Sequence, residues 1–144
     1  MTIKQAILHY NKYILAVVFI LIFFILIEPK HSFGYNILIP SQTIYRLPAG
    51  RYEYSKFSLR REAILTGSFI TTENITFFVM TPYEYFTLGS NRLSYLYTTG
   101  KVHRGGVSTI LSPGTYYLVF DNRNIILETN VMIVQPFILM PYGY

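Results

Sequence analysis

The hydrophobic pattern of the chain changes once, near residue 30. Residues 13–27 read YILAVVFILIFFILI without a charge or a polar face, which is the pattern of an element surrounded by apolar material on every side. As a helix this run measures about 22 Å, short of a hydrocarbon core of about 30 Å. The preceding AILHYNKY extends it, because Lys12 can snorkel and Tyr10 and Tyr13 suit a membrane interface. The pattern therefore predicts a transmembrane helix over residues 8–28, with its lipid-embedded part at 8–27, after a short cytoplasmic N-terminus at 1–7. Glu28 and Pro29 end it. The competing reading is a cleaved secretory signal, but EPKHSFGYN offers no small-residue cleavage site.

Beyond a linker at 29–35, aromatic and β-branched residues alternate in short runs punctuated by LPAG, TPYE, TTGK, HRGG and SPGT. Strands are predicted at 36–39, 43–47, 50–59, 63–71, 75–81, 94–98, 107–111, 115–121 and 125–134, and no segment after residue 30 has a sustained helical period. In ILETNVMIV, Ile125, Leu127, Val131 and Ile133 fall on one face, with Glu128 and Asn130 on the other. TFFVM and YYLVF are apolar on both faces, so they belong at the centre of the fold, with Tyr117 and Val119 covered by a neighbour. The parity change in YEYSKFSL, from Tyr52 and Tyr54 to Phe57 and Leu59, predicts a β-bulge near Ser55 and Lys56. The expected fold is all-β: an antiparallel two-sheet sandwich, jelly-roll or immunoglobulin-like, over residues 36–134.

Composition narrows the function. At 144 residues there is room for one domain, and 51% hydrophobic against 13% charged residues points to a membrane or a large partner surface. The absence of Cys removes disulfides, thiolate nucleophiles and Cys-ligated metals, and His9, His31 and His103 are too dispersed to suggest a metal site. Lys4 and Lys12 precede the apolar span while Glu28 offsets Lys30 beyond it, so the N-terminus is expected in the cytoplasm and the sandwich outside. The nine Lys and Arg of residues 33–144, against six Asp and Glu, are too scattered for a nucleic-acid stripe. Lack of Cys and Trp with abundant Ile and Tyr is compatible with a thermophilic composition.

Few residues suggest chemistry. Lys101, His103 and Arg104 in GKVHRGG would form an anion nest if the backbone amides turned toward one another, and a plain hairpin tip if they did not. Asp121 in FDNRN fits a turn after a central strand, and no activated nucleophile is visible, so no enzyme and no cofactor are expected. Asn74-Ile75-Thr76 is an N-glycosylation sequon on a predicted turn. The tail VMIVQPFILMPYGY is apolar, uncharged and too short to span a membrane. Either residues 135–144 fold over their own sandwich, or Phe137, Ile138, Leu139, Met140, Tyr142 and Tyr144 form an extended arm that enters a partner subunit.

At LPAGRYEYSKFSL, LTGSFITTENITFFVMT and STILSPGTYYLVFDN the chain resembles small jelly-roll sandwiches tethered to prokaryotic membranes. These are similar in pattern to the GOLD domain of the emp24 cargo adaptors and to pre-peptidase C-terminal domains. The likeness spans about residues 43–134 and is strongest in LSPGTYYLVFDN. It implies a turn at Pro113 and Gly114, packing by Tyr116, Leu118 and Phe120, and a non-catalytic module for binding or assembly. Because the apolar span precedes the sandwich, cargo adaptation is not implied. The arrangement also resembles the copper subunit of haem-copper oxidases, but the His, Cys and Met ligands of such a site are missing, which leaves only a redox-silent subunit. The leading expectation is a structural or accessory subunit of a membrane or envelope assembly, with the bilayer and other protein subunits as partners and neither nucleic acid nor a small-molecule ligand. The alternative is a surface adhesion or ligand-binding module in which Tyr83, Tyr85, Tyr95 and Tyr97 stack on sugars or on a protein.

Overall fold

A computed structural model describes residues 34–90 and 93–143. The expected membrane helix at 8–28, the N-terminus at 1–7, most of the linker and Tyr144 lie outside the described residues. Among the described residues no helix is long and apolar enough to cross a membrane. The elements are β1 (Asn36–Ile39), β2 (Ile44–Leu47), β3 (Tyr52–Leu59), β4 (Ala63–Met80), α1 (Pro82–Phe86), β5 (Tyr97–Leu111), β6 (Gly114–Asp121) and β7 (Thr129–Pro141).

The all-β, antiparallel expectation holds, but the two separate sheets do not. All seven strands belong to one hydrogen-bonded sheet, ordered β1-β7-β4-β6-β3, with β2 also on β7 and β5 along the other edge of β4. One strand links the two layers. The first half of β4 pairs β7 from Ala63↔Pro141 to Thr71↔Val131, and its second half pairs β6 from Thr76↔Asp121 to Met80↔Tyr117. Between these stretches its register against β5 jumps from Ile70↔Arg104 to Ile75↔Val102. The extra residues 71–74 make a corner at which the sheet folds over, so the result is a nearly closed, barrel-like sheet. Hydroxyls pin this corner. Glu73 donates its backbone N–H to Thr129 Oγ1 at 3.0 Å, Asn130 donates to Thr72 Oγ1 at 3.0 Å, and Thr71 donates to the Glu73 carbonyl.

The core is the space enclosed by the fold. Phe69, Phe77, Phe120 and Phe137 meet there with ring centroids 5.0–5.9 Å apart, in tilted and edge-on geometry that favours aromatic pairs beyond their burial alone. Leu65, Ile75, Leu118, Val131 and Ile133 fill the remainder.

Four expectations about strands change. HRGG lies inside β5 and is not a turn, because its glycines let strands approach. A Cβ on Gly105 would stand 2.6 Å from Phe69 Cζ, and one on Gly106 would stand 2.8 Å from the Gly67 carbonyl oxygen. TTGK is a bulge, where Gly100 has φ 67° and Thr99 Oγ1 accepts from the Phe77 N–H. The bulge expected at Ser55 and Lys56 is absent, since β3 pairs β6 without a break from Tyr52↔Asp121 to Leu59↔Gly114. Its apparent parity change arises because both faces of β3 carry aromatic residues, Phe57 packing inward on Tyr116 and the exposed Tyr54 making outward ring contacts with Tyr85 and Tyr117. At the start of the predicted 125–134 strand, Ile125 and Leu127 fall outside β7, which begins at Thr129. Gly67→Ala tests the packing: its Cβ would lie 2.6 Å from the Phe137 ring and 2.9 Å from Phe137 Cα. Backbone cannot yield as a flexible side chain can, so a loss of about 1–3 kcal/mol is expected in denaturant titration.

Candidate functional site: an uncovered sheet face

Alternation within a strand sends odd-numbered residues of β4 and β7 into the core and leaves even-numbered ones outside. In most antiparallel sheets the outside set is polar. Here much of it is aliphatic. Register places Ile44, Met132, Ile70 and Arg104 in one row across β2, β7, β4 and β5. A second row is Ile37, Ile138, Thr66 and Ser108, and a third is Met140, Ile64 and Ile110. Ile44 is 63% exposed, Ile110 49%, Val134 49% and Met132 39%. Two shallow depressions of about 390 Å³ each cut into the face, one against Ile70, Arg104, Met132 and Val134, the other against Ile44, Ile70, Thr72 and Asn130. Charge is confined to the border, with the Arg46–Glu128 ion pair on the β2 side and Arg104 on the β5 side.

The opposite outer face, on β3, β6 and the second half of β4, is aromatic and largely covered. Its cover is α1, a five-residue helix that the absence of helical period had concealed. TPYE, read as a turn, is its N-terminus. Thr81 Oγ1 accepts from the Glu84 N–H at 3.4 Å, and the Glu84 carboxylate accepts from the Thr81 N–H at 2.7 Å, a reciprocal cap with Pro82 in the first turn. The helix lays Tyr85 flat on Tyr117, with centroids 4.1 Å apart and planes 3° from parallel, and packs with Leu88 over Phe78, Met80 and Val119. This is the neighbour that the two-sided strands required. Arg123 sits over the Tyr52 ring while its guanidinium binds the Asp121 carboxylate at 2.8 Å.

Burial, then the hydrogen bond Tyr85 donates to Tyr52, pushes the Tyr85 phenol well above its usual value; burial likewise raises Tyr45 and Tyr116. A raised phenol keeps its proton in the folded state after the unfolded chain has lost it. The contribution of these phenols to stability is therefore fully present below about pH 10 and is lost as pH rises above it, until the folded phenols ionise too. Stopped unfolding across this range should show the alkaline transition begin near pH 10, and Tyr85→Phe, which removes one such group and keeps the stack, should shift it to higher pH.

The residues singled out from sequence are distributed as follows. Lys101, His103 and Arg104 lie within β5, where successive amides point to opposite edges, so they do not build a nest. Arg104 shares a row with Ile70, while His103 Nδ1 lies 3.4 Å from the Thr71 carbonyl oxygen. Asp121 ends β6 and accepts from the Arg123 backbone N–H at 2.9 Å. Asn74 is exposed at the corner of β4. Tyr83 is 75% and Tyr95 45% exposed, Tyr85 is half-buried, and Tyr97 donates to the Gly106 carbonyl at 2.6 Å.

The C-terminal arm requires a correction. Residues 136–141 do not leave the domain, because they are the second half of β7, paired with β4 on one side and β1 on the other. Phe137 and Leu139 are core residues, at 0% and 5% exposure, whereas Ile138 and Met140 belong to the outer face and Tyr142 is exposed beside them. Pro136 had suggested a break, but the register shift near Gln135 absorbs it.

Ile44, Ile64, Ile70, Ile110, Met132 and Val134 were not recognised as a surface. The signal was present in AILTGSFIT and VMIV, which are apolar at both parities, but parity alone does not say which side stays open. Among the described residues no group of three His, Asp or Glu side chains could hold a metal. No protein-family model matches the chain, and no curated protein is similar to it.

Proposed function

We propose that the chain is a non-catalytic structural or accessory subunit of a membrane or cell-envelope assembly, anchored by residues 8–28 and joined to its assembly through the aliphatic outer face of β7 and β4. One observation carries this reading: an apolar centre with charge only at the border has the anatomy of a protein interface. It is consistent with the non-catalytic role implied by the likeness to membrane-tethered jelly rolls. The test is purification of the chain from its native source in mild detergent, with mass spectrometry of co-migrating polypeptides. The chain should migrate in an assembly, and Ile70→Lys with Met132→Lys should release it still folded; migration of the unaltered chain as a lone monomer would sink the proposal.

A second reading, a surface adhesion or ligand-binding module, draws on the rim of the aromatic face, where Tyr83 and Phe86 are 75% and 78% exposed. Tyrosine fluorescence that changes on titration with oligosaccharides, and that Tyr83→Ala abolishes, would favour it.

A further inference from the structure

We propose that Asn74 carries an N-linked glycan, transferred to it outside the cytoplasm before β4 is locked into the fold. This goes beyond the interface reading and rests on the exported orientation expected from Lys4 and Lys12, not on the aliphatic face.

Asn74-Ile75-Thr76 has the spacing that a glycosyltransferase reads, and no other asparagine of the chain is followed at the second position by Ser or Thr. The fold leaves this amide uncommitted. Ile75 is 1% exposed and faces the core, so alternation sends the Asn74 side chain outward, where it is exposed. Residues 71–74 are the extra length at the corner of β4, and Asn74 stands opposite no residue in the ladders with β5, β6 or β7. Its side-chain amide has no hydrogen-bond partner among the described residues. Asn122 is the contrast, fully buried with its Nδ2 committed to three carbonyls. A sugar on Asn74 Nδ2 therefore displaces no side chain and breaks no hydrogen bond of the fold.

The co-substrate is a sugar carried on a polyprenyl phosphate or diphosphate. Asn74 Nδ2 bonds to the anomeric carbon, the bond from that carbon to the phosphate oxygen breaks, the lipid phosphate leaves with the electron pair, and a base of the transferase takes one amide proton. Nothing is oxidised or reduced. Timing follows from Thr76, whose hydroxyl completes the acceptor motif. The folded chain holds Thr76 half-buried, paired with Lys101 on one side and Asp121 on the other. Both of those strands come later in the chain, so during export Asn74 and Thr76 emerge before the partners that shut them in.

The test uses the full chain purified from its native source in mild detergent. Trypsin releases residues 62–92 as one peptide, since no Lys or Arg lies between Arg61 and Arg92. Mass spectrometry should find most of this peptide heavier by whole monosaccharide residues, with fragmentation placing them on Asn74. Asn74→Gln and Thr76→Val, the second keeping a β-branched side chain in the strand, should each abolish the added mass and leave the thermal melt unchanged, whereas Thr76→Ser should retain the added mass. Added mass that persists in Thr76→Val would belong to another chemistry and overturns the proposal. Protease added to intact cells reads the orientation separately. If it digests the domain and the peptide is unmodified, this proposal fails and the exported orientation stands. If the domain is protected and the peptide unmodified, both fail.

Discussion

Deleting residues 136–144 unfolds the domain. The segment contributes Phe137 and Leu139 to the core and pairs with β4 from Ala63↔Pro141 to Thr66↔Ile138 and with β1 from Asn36↔Leu139 to Ile39↔Phe137. Truncating a buried Phe costs about 3–5 kcal/mol and a buried Leu about 2–5 kcal/mol, before the lost ladder is counted. A domain of this size is stable by about 5–15 kcal/mol in total, so the loss matches or exceeds what is available. The deletion should therefore give a chain without a cooperative thermal transition. Phe137→Ala alone should retain the transition at lower temperature. A deleted chain that melts like the parent would show that the second half of β7 is dispensable.

Asn122→Asp is expected to be the most damaging isosteric change. Asn122 is fully buried just after β6, and its Nδ2 donates to the carbonyls of Leu47, Pro48 and Leu127 at 3.2, 3.1 and 3.0 Å. Its backbone continues the network, the N–H donating to the Arg51 carbonyl and the carbonyl accepting from Gly50 and Ile125. One side chain thus ties the β2–β3 connection to the β6–β7 connection. Aspartate would set a carboxylate against three carbonyl oxygens in a fully buried site, a cost of about 3–5 kcal/mol. Because the folded state favours the protonated acid, the carboxyl would be raised above its usual value of about 3.9, and the damage should be complete above the raised value and relieved as pH falls toward the usual one. Denaturant titrations near pH 7 and pH 4 check this; equal losses at both would mean that charge is not the cause. Among the described residues the amide's donor end makes every hydrogen bond of this side chain.

Much of the inner architecture was legible along the chain. Val131 and Ile133 on one face, Tyr116, Leu118 and Phe120 on another, and the turn at Pro113 and Gly114 are all local consequences of alternation and turn chemistry. The two-sided apolarity of TFFVM and YYLVF correctly required a cover. What covers them, Tyr85 of a helix only five residues long and Leu88 just beyond it, was not legible because so short a helix has no period to display. The glycines of HRGG and the Pro of VQPF misled for the opposite reason. Locally they are breakers, and only contact with Phe69 and the irregular pairing of β7 with β4 turns them into parts of continuous strands.

The sequence by itself determined that the chain beyond residue 35 is mostly antiparallel β-structure, and for β6 and the first half of β7 it determined which residues share a side, because strand parity depends on neighbours two positions away. Only the tertiary structure decided which apolar sides are covered. Tyr117 and Val119 acquire α1, whereas Met132, Ile70 and Ile44 remain open although their residue types are as hydrophobic. Burial of a sheet face depends on elements remote in sequence, and β4, by turning its corner at residues 71–74, sends β7 to one layer and β6 to the other. That bend set the aliphatic face apart as a surface, and no window along the chain contains it.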